Sequence, residues 1–183
     1  MELLAAVWLY VPAGLANMAP VIAKNIPVLK RFTQPLDMNK TFHGKRVFGS
    51  HKTLRGLLAA IIVGMSAGFL QVAFYNVFAW PSTNITPLDY SSLNVALVGG
   101  VLGFGAIFGD AVKSFFKRQV NIPPGKNWFL FDQVDYVIGA ILVSLPFFQL
   151  PIAQYVFITL VGILLHPIIN VISWLLRLQD KPL

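Results

Sequence analysis

The segment Gly109–Asp135, reading GDAVKSFFKRQVNIPPGKNWFLFDQVD, concentrates side chains able to do chemistry. Read as a helix, it places Asp110, Ser114, Lys117 and Arg118 at i, i+4, i+7 and i+8, with Lys113 beside them at i+3. One stripe then carries a carboxylate, a hydroxyl and three cations. Pro123, Pro124 and Gly125 turn the chain, and Asp132 and Asp135 follow at i and i+3 on the next helix. Three carboxylates can thus converge where two helices emerge side by side. Such a cluster has two readings. In one, the charges are interfacial ion pairs whose cations anchor helix ends to anionic headgroups. In the other, Asp110, Asp132 and Asp135 bind Mg²⁺, which favours a few carboxylates plus phosphate oxygens, while the cations hold the remaining phosphates. The chain has no cysteine, so any metal must use oxygen or imidazole ligands.

The elements that position these residues belong to a membrane. Hydrophobic residues make up 56% of the 183-residue chain and charged residues 11%, outside the range of soluble globular proteins. Crossing a hydrocarbon core takes roughly 20 apolar residues as a helix. Five runs approach or exceed that length: Met1–Ala23, Leu57–Trp80, Leu93–Phe108, Val134–Leu150 and Ile152–Leu176. The third is short. The fourth carries Pro146 near its end and Pro151 just beyond it, and Pro167 predicts a kink in the fifth. In the first run Glu2 precedes the positive charge, the reverse of a secretory signal, so it is read as a retained span. The expectation is an all-α polytopic protein of about five transmembrane helices, forming a single integral membrane catalytic domain over residues 1–183.

All 14 basic residues fall on one side of this arrangement. They occupy Lys24–Arg55, Lys113–Lys126 and the stretch after span five, whereas Pro81–Ser92 and Pro146–Pro151 hold none. The positive-inside rule then puts the N-terminus out, the C-terminus in and two polar loops in the cytoplasm. Asn84, Ile85 and Thr86 form a glycosylation-type sequon in the outer loop, too common a pattern to add weight. Pro27, Pro35, Gly44 and Gly49 predict irregular backbone in the first inner loop. The pairs Gly64/Gly68, Gly99/Gly103 and Gly105/Gly109 have the spacing of close helix packing. His166, before Pro167 in an apolar helix, is read as a hydrogen-bonded structural histidine. Asn17 has three readings: a cap, a packing group or a ligand contact.

Gly109, Asp110, Ser114, Lys117 and Arg118, followed by Asp132 and Asp135, resemble the signature G-D-x3-S-x2-K-R … D-R-x-D of the CTP-dependent phosphatidate cytidylyltransferases, or CDP-diacylglycerol synthases. Ser50–Gly56 resembles that family's S-P-x-K-T-x-E-G segment. Gln133 replaces the Arg of the final motif and Arg55 the Glu of the earlier one. The family's Lys-Asp pair and its Pro-Gly-His-Gly-Gly run are missing, and the connecting loop is shorter. With the order Pro35, Asp37, Gly44, Arg46, Gly49, Lys52, Thr53, Arg55, Gly56, the chain is similar to the archaeal branch of the family, the CDP-archaeol synthases.

The resemblance implies a Mg²⁺-dependent nucleotidyltransferase of the cell membrane, with its active site on the cytoplasmic side. It would transfer CMP from CTP to a lipid phosphate, 2,3-di-O-geranylgeranylglyceryl 1-phosphate, and release pyrophosphate. Asp110, Asp132 and Asp135 would be metal ligands and, with Lys117, catalytic. Lys113, Ser114, Lys117 and Arg118 would hold the phosphate chain, with Lys52 and Thr53 closing from the first loop, and Arg46 and Arg55 would meet the lipid phosphate. The partners expected are CTP, the lipid phosphate and the bilayer, with no nucleic acid. The nearest alternative is a phosphatidate cytidylyltransferase making CDP-diacylglycerol. A transporter would place ionisable residues deeper in the spans. A membrane scaffold would not need the ordered motif blocks, and a CDP-alcohol phosphotransferase would show a D-G-x2-A-R opening that is absent.

Overall fold

The computed structural model describes residues 2–78, 94–124, 126, 128–175 and 177. The outer loop with its Asn84 sequon, the end of the second predicted span at Trp80 and Lys181 lie outside the described residues. Five helices form: α1 (Glu2–Ala23), α2 (Leu54–Phe78), α3 (Val95–Gln119), α4 (Phe131–Ser144) and α5 (Ile152–Leu175). Four of them, α1, α2, α3 and α5, are long and apolar enough to cross a membrane. At 14 residues, α4 is the short one; it measures about 21 Å at 1.5 Å per residue, below a hydrocarbon core of about 30 Å. It begins three residues before the predicted Val134 and stops at Ser144 rather than Leu150. Pro146 accounts for the early stop, because it has no N–H to donate to the helix; Leu145 before it still keeps helical backbone at φ −50°, ψ −37°. The third span, predicted as Leu93–Phe108, continues without a break to Gln119, which carries the polar stripe beyond the apolar part. α5 runs through Pro167 as a single helix.

Lipid tails are as apolar as leucine, so the bundle is held by close packing rather than by hydrophobic exclusion. α1 is the central staff. Ala6, Ala13, Ala16 and Ala19 are almost fully buried, and Tyr10 donates or accepts a 2.8 Å hydrogen bond with Ser144 Oγ of α4. Side by side, α2 and α3 are joined through Gly64, Gly68, Gly99 and Gly103, where an added Cβ would run into the backbone of the other helix. The same holds for α3 and α4 at Gly105, Gly109 and Gly139. The expected packing role of the glycine pairs is therefore met.

As expected, the first polar loop is irregular. A 3₁₀ turn at Pro27–Arg31 leads to a two-stranded hairpin, β1 (Thr41–Phe42) and β2 (Lys45–Arg46), with Thr41 opposite Arg46 and Phe42 opposite Lys45. His43 and Gly44, at φ 48° and 74°, supply the left-handed pair that a tight two-residue hairpin turn requires. Lys45 Nζ donates to the Gln119 carbonyl at 2.6 Å, tying the hairpin to the end of α3. The first loop, the C-terminal end of α3 and the start of α4 thus meet at one end of the bundle.

Candidate active site

The hairpin loop is organised around Asp37. Its buried carboxylate accepts from Arg46 Nη2 at 2.6 Å and Nε at 3.1 Å, and from the backbone N–H groups of Gly49 at 2.9 Å, Phe48 at 3.1 Å and Asn39 at 3.1 Å. Burial alone would raise this carboxyl, but the guanidinium and the backbone donors outweigh it and push it down to about 2. Gly49, at φ 97°, lets the chain turn beneath the carboxylate and aim Lys52 at α3. Lys52 pairs with Asp110.

On α3, Lys113 Nζ sits among all three aspartates, at 3.1 Å from Asp110 Oδ1, 2.6 Å from Asp132 Oδ1 and 2.5 Å from Asp135 Oδ2. Lys117 adds contacts of 3.1 and 3.2 Å to Asp132 and donates to the Lys126 carbonyl at 2.5 Å. Asp132 also accepts from the Trp128 N–H, and Asp135 accepts from the Tyr136 N–H at 2.6 Å. For Asp132, burial raises the carboxyl, yet the hydrogen bond from Lys113, the Trp128 N–H and Lys117 hold it below the usual carboxylate range. Three carboxylates and the ammonium groups of Lys52, Lys113 and Lys117 form one network. The approach of α3 to α4 explains it, since Gly109 lies against the Asp135 backbone and so brings Asp110 and Asp135 to one point.

This network floors a cavity of about 350 Å³, lined also by Asn17, Phe48, Gly49, His51, Lys52, Ser114, Arg118, Pro124, Lys126 and His166. Within it, the buried Arg118 Nε has no hydrogen-bond partner. As the side chains stand, no three acidic or histidine groups among the described residues are spaced to hold a metal ion, because Lys113 fills the space among them.

A sequence model described as CarS-like, CDP-archaeol synthase, matches residues 1–183. The chain belongs to the CDP-archaeol synthase family. It is 35% identical to the CDP-archaeol synthase of Thermococcus onnurineus, over 90% of this chain and 88% of that one. It is 32% identical to that of Pyrococcus furiosus over 98% of both, and 33% identical to that of Methanocaldococcus jannaschii over 97% and 96%. A solved structure of an intramembrane enzyme for archaeal membrane lipid biosynthesis aligns with a TM-score of 0.71 at 29% identity, covering 91% of this chain and 92% of that one. CDP-archaeol synthases are cytidylyltransferases, and the family agrees with the multi-pass architecture.

In this member of the CDP-archaeol synthase family, the cavity gathers Asp110, Asp132, Asp135, Lys52, Lys113, Ser114, Lys117 and Arg118, as the motif blocks predicted. The structure does not bring Thr53, Arg46 or Arg55 there. Thr53 Oγ1 accepts from the Gly56 N–H at 3.2 Å and caps α2. Arg46 is engaged by Asp37. Arg55 Nη1 donates to the Leu29 carbonyl at 3.0 Å. His166, expected as a structural histidine, lines the cavity with its ring tilted against Tyr136. His51 and Lys126 also line it and were not singled out by the sequence. Their one signal was position, beside Lys52 and just after the Pro-Pro-Gly turn.

Proposed function

We propose that the protein transfers CMP from CTP to 2,3-di-O-geranylgeranylglyceryl 1-phosphate, forming CDP-archaeol and pyrophosphate at the cytoplasmic face of the membrane. The observation that carries this reading is the convergence of Asp110, Asp132 and Asp135 on Lys113 at the floor of a cation-lined cavity. The family supplies the class of reaction, and the segregation of the basic residues supplies the side.

The obstacle in this reaction is repulsion between anions, not weakness of the nucleophile. A phosphate monoester has its second pKa near about 6 and is largely ionised at neutral pH, so no general base is needed. A lipid phosphate oxygen attacks the α-phosphorus of CTP, the bond to the β-phosphate breaks and pyrophosphate leaves. Catalysis is then positioning and charge neutralisation. Lys117, Arg118, Lys126 and Lys52 offer cations to the phosphate chain, and Ser114 offers a hydroxyl donor. The Arg118 guanidinium lines the cavity, and its unpartnered Nε leaves it with donor capacity that an anion would satisfy.

The carboxylates around Lys113 are hard oxygen donors of the kind Mg²⁺ takes, and Lys113 would have to leave the space among them for the ion to enter. Asp110, Asp132 and Asp135 would hold the ion, which would neutralise the nucleotide phosphates and fix their orientation. With these carboxylates so engaged, Lys52, Lys113 and Lys117 would be released for phosphate oxygens.

The test is turnover by purified protein, following pyrophosphate and CDP-lipid from CTP, with and without chelation of divalent cations. Digeranylgeranylglyceryl phosphate should give a higher kcat/KM than diacyl phosphatidate in the same detergent. Equal or better use of phosphatidate would reject the archaeal lipid and leave cytidylyl transfer standing. No CTP consumption with either lipid would reject the transfer itself.

A further inference from the structure

The reacting groups of an acceptor lipid must reach the polar cavity while its chains stay in apolar surroundings. Two apolar spaces adjoin the cavity. The larger, about 390 Å³ between α3 and α4, meets it at Lys113 and Asp135. Those two side chains are paired at 2.5 Å and Gly109 packs on the Asp135 backbone, so the groups shared with this space are a closed ion pair and a tight helix contact, which offer a glycerol no hydrogen-bonding passage.

The second space lies between α1 and α5 and shares Asn17 and His166 with the cavity. Asn17 of α1 and His166 of α5 line both the polar cavity and a small space of about 50 Å³ that adjoins it. Asn170 and Ser173 of α5 also line this small space. His166, Asn170 and Ser173 stand at i, i+4 and i+7, so they share one face of the C-terminal half of α5. Gly14, Met18, Tyr136 and Ile169 then join the small space to an apolar crevice of about 170 Å³, which continues past Val11, Val161 and Leu165. The sequence of surroundings is cationic, then hydrogen-bonding, then apolar. It matches a phosphate, a glycerol with its ether oxygens and a hydrocarbon chain, in that order. Polar residues within a membrane span are costly and commonly mark a substrate path.

We infer that the acceptor lipid reaches the site through the α1–α5 crevice, one isoprenoid chain lying along Gly14 and its glycerol phosphate held between Asn17 and His166. This rests on the cytidylyl-transfer reading, and it assigns His166 and Asn17 to the acceptor rather than to CTP.

Gly14 gives a clean test, because a Cβ there meets nothing within 4 Å and a larger side chain grows into open crevice. With the full chain in detergent, Gly14→Leu should raise the KM for digeranylgeranylglyceryl phosphate by about tenfold or more, with the KM for CTP unchanged. His166→Ala should show the same split. Ile138→Trp, filling the α3–α4 space, should leave both constants at wild-type values. An unaltered lipid KM in Gly14→Leu overturns the inference, as does an equal rise in both constants. A second readout does not need turnover: a lipid phosphate carrying a photoreactive group in one chain should label α1 or α5, and unlabelled lipid phosphate should suppress the labelling. Labelling confined to α3 and α4, or labelling that a neutral diether lipid suppresses equally well, overturns the assignment. Wild-type protein that labels as expected but consumes no CTP with any lipid phosphate would leave the crevice assigned and refute the transfer reading instead.

Discussion

Asp110 touches both Lys52 from the first loop and Lys113 from its own helix, so it joins the two motif blocks into one site. Replacing it with Asn keeps the volume and removes the anion. The expected outcome for Asp110→Asn is a loss of turnover of about 100-fold or more, with a folded, membrane-inserted protein by size exclusion and thermal melting. Near-normal turnover would refute the proposed metal-ligand role. Asp37 makes a different kind of contribution: it does not line the cavity but holds the backbone of Phe48 and Gly49, which do. Its folded pKa is depressed to about 2 from an ordinary 3.8. The stabilisation it provides is therefore complete above pH ~4 and disappears as pH falls through about 2. Asp37→Asn should cost about 3 kcal/mol near neutral pH by leaving Arg46 and three backbone N–H groups poorly matched. The difference in Tm between wild type and variant should shrink as pH is lowered from about 4 towards 2, and a constant difference would contradict the assignment.

At the scale of elements, the two glycine seams do different jobs. The α2–α3 seam at Gly64 and Gly99 is far from the ion network, whereas the α3–α4 seam at Gly109 sets the distance between Asp110 and Asp135. An added methyl at either place forces backbone apart, at a cost of about 1–3 kcal/mol. Gly64→Ala should lower Tm in detergent and leave kcat/KM per folded molecule unchanged. Gly109→Ala should lower both. A Gly109→Ala protein with full activity would show that the carboxylates tolerate helix separation, against the reading of a tightly held site.

For the whole molecule, the absence of cysteine makes topology directly measurable. Gln149 is exposed in the turn between α4 and α5, at the end of the bundle away from the ion network, and Lys126 lies at the network itself. In intact membranes, Gln149→Cys should react with an impermeant thiol reagent from outside, and Lys126→Cys only after the inner face is opened. Reaction of both from the same side would overturn the proposed orientation, whose weak element is the 14-residue α4.

What the sequence by itself determined follows from short-range physics. Hydropathy located five helices, because each apolar run must satisfy its own backbone hydrogen bonds in lipid. The 3.6-residue period put Asp110, Lys113, Ser114, Lys117 and Arg118 on one stripe, and the spacing of glycines marked the seams. The tertiary structure decided what depended on contacts between distant segments. Lys113 at the centre of three aspartates requires α4 to pack on α3 at Gly109. Arg46, Arg55 and Thr53 match the motif, yet they are engaged by Asp37, the Leu29 carbonyl and the Gly56 N–H at the start of α2. A motif gives residue types, and neighbouring acceptors decide where a long cationic side chain points. His166 and Asn17 looked like isolated polar residues in separate apolar helices. Only the packing of α1 and α5 around the cavity puts them on facing walls, a relation between residues 17 and 166 that no local period encodes.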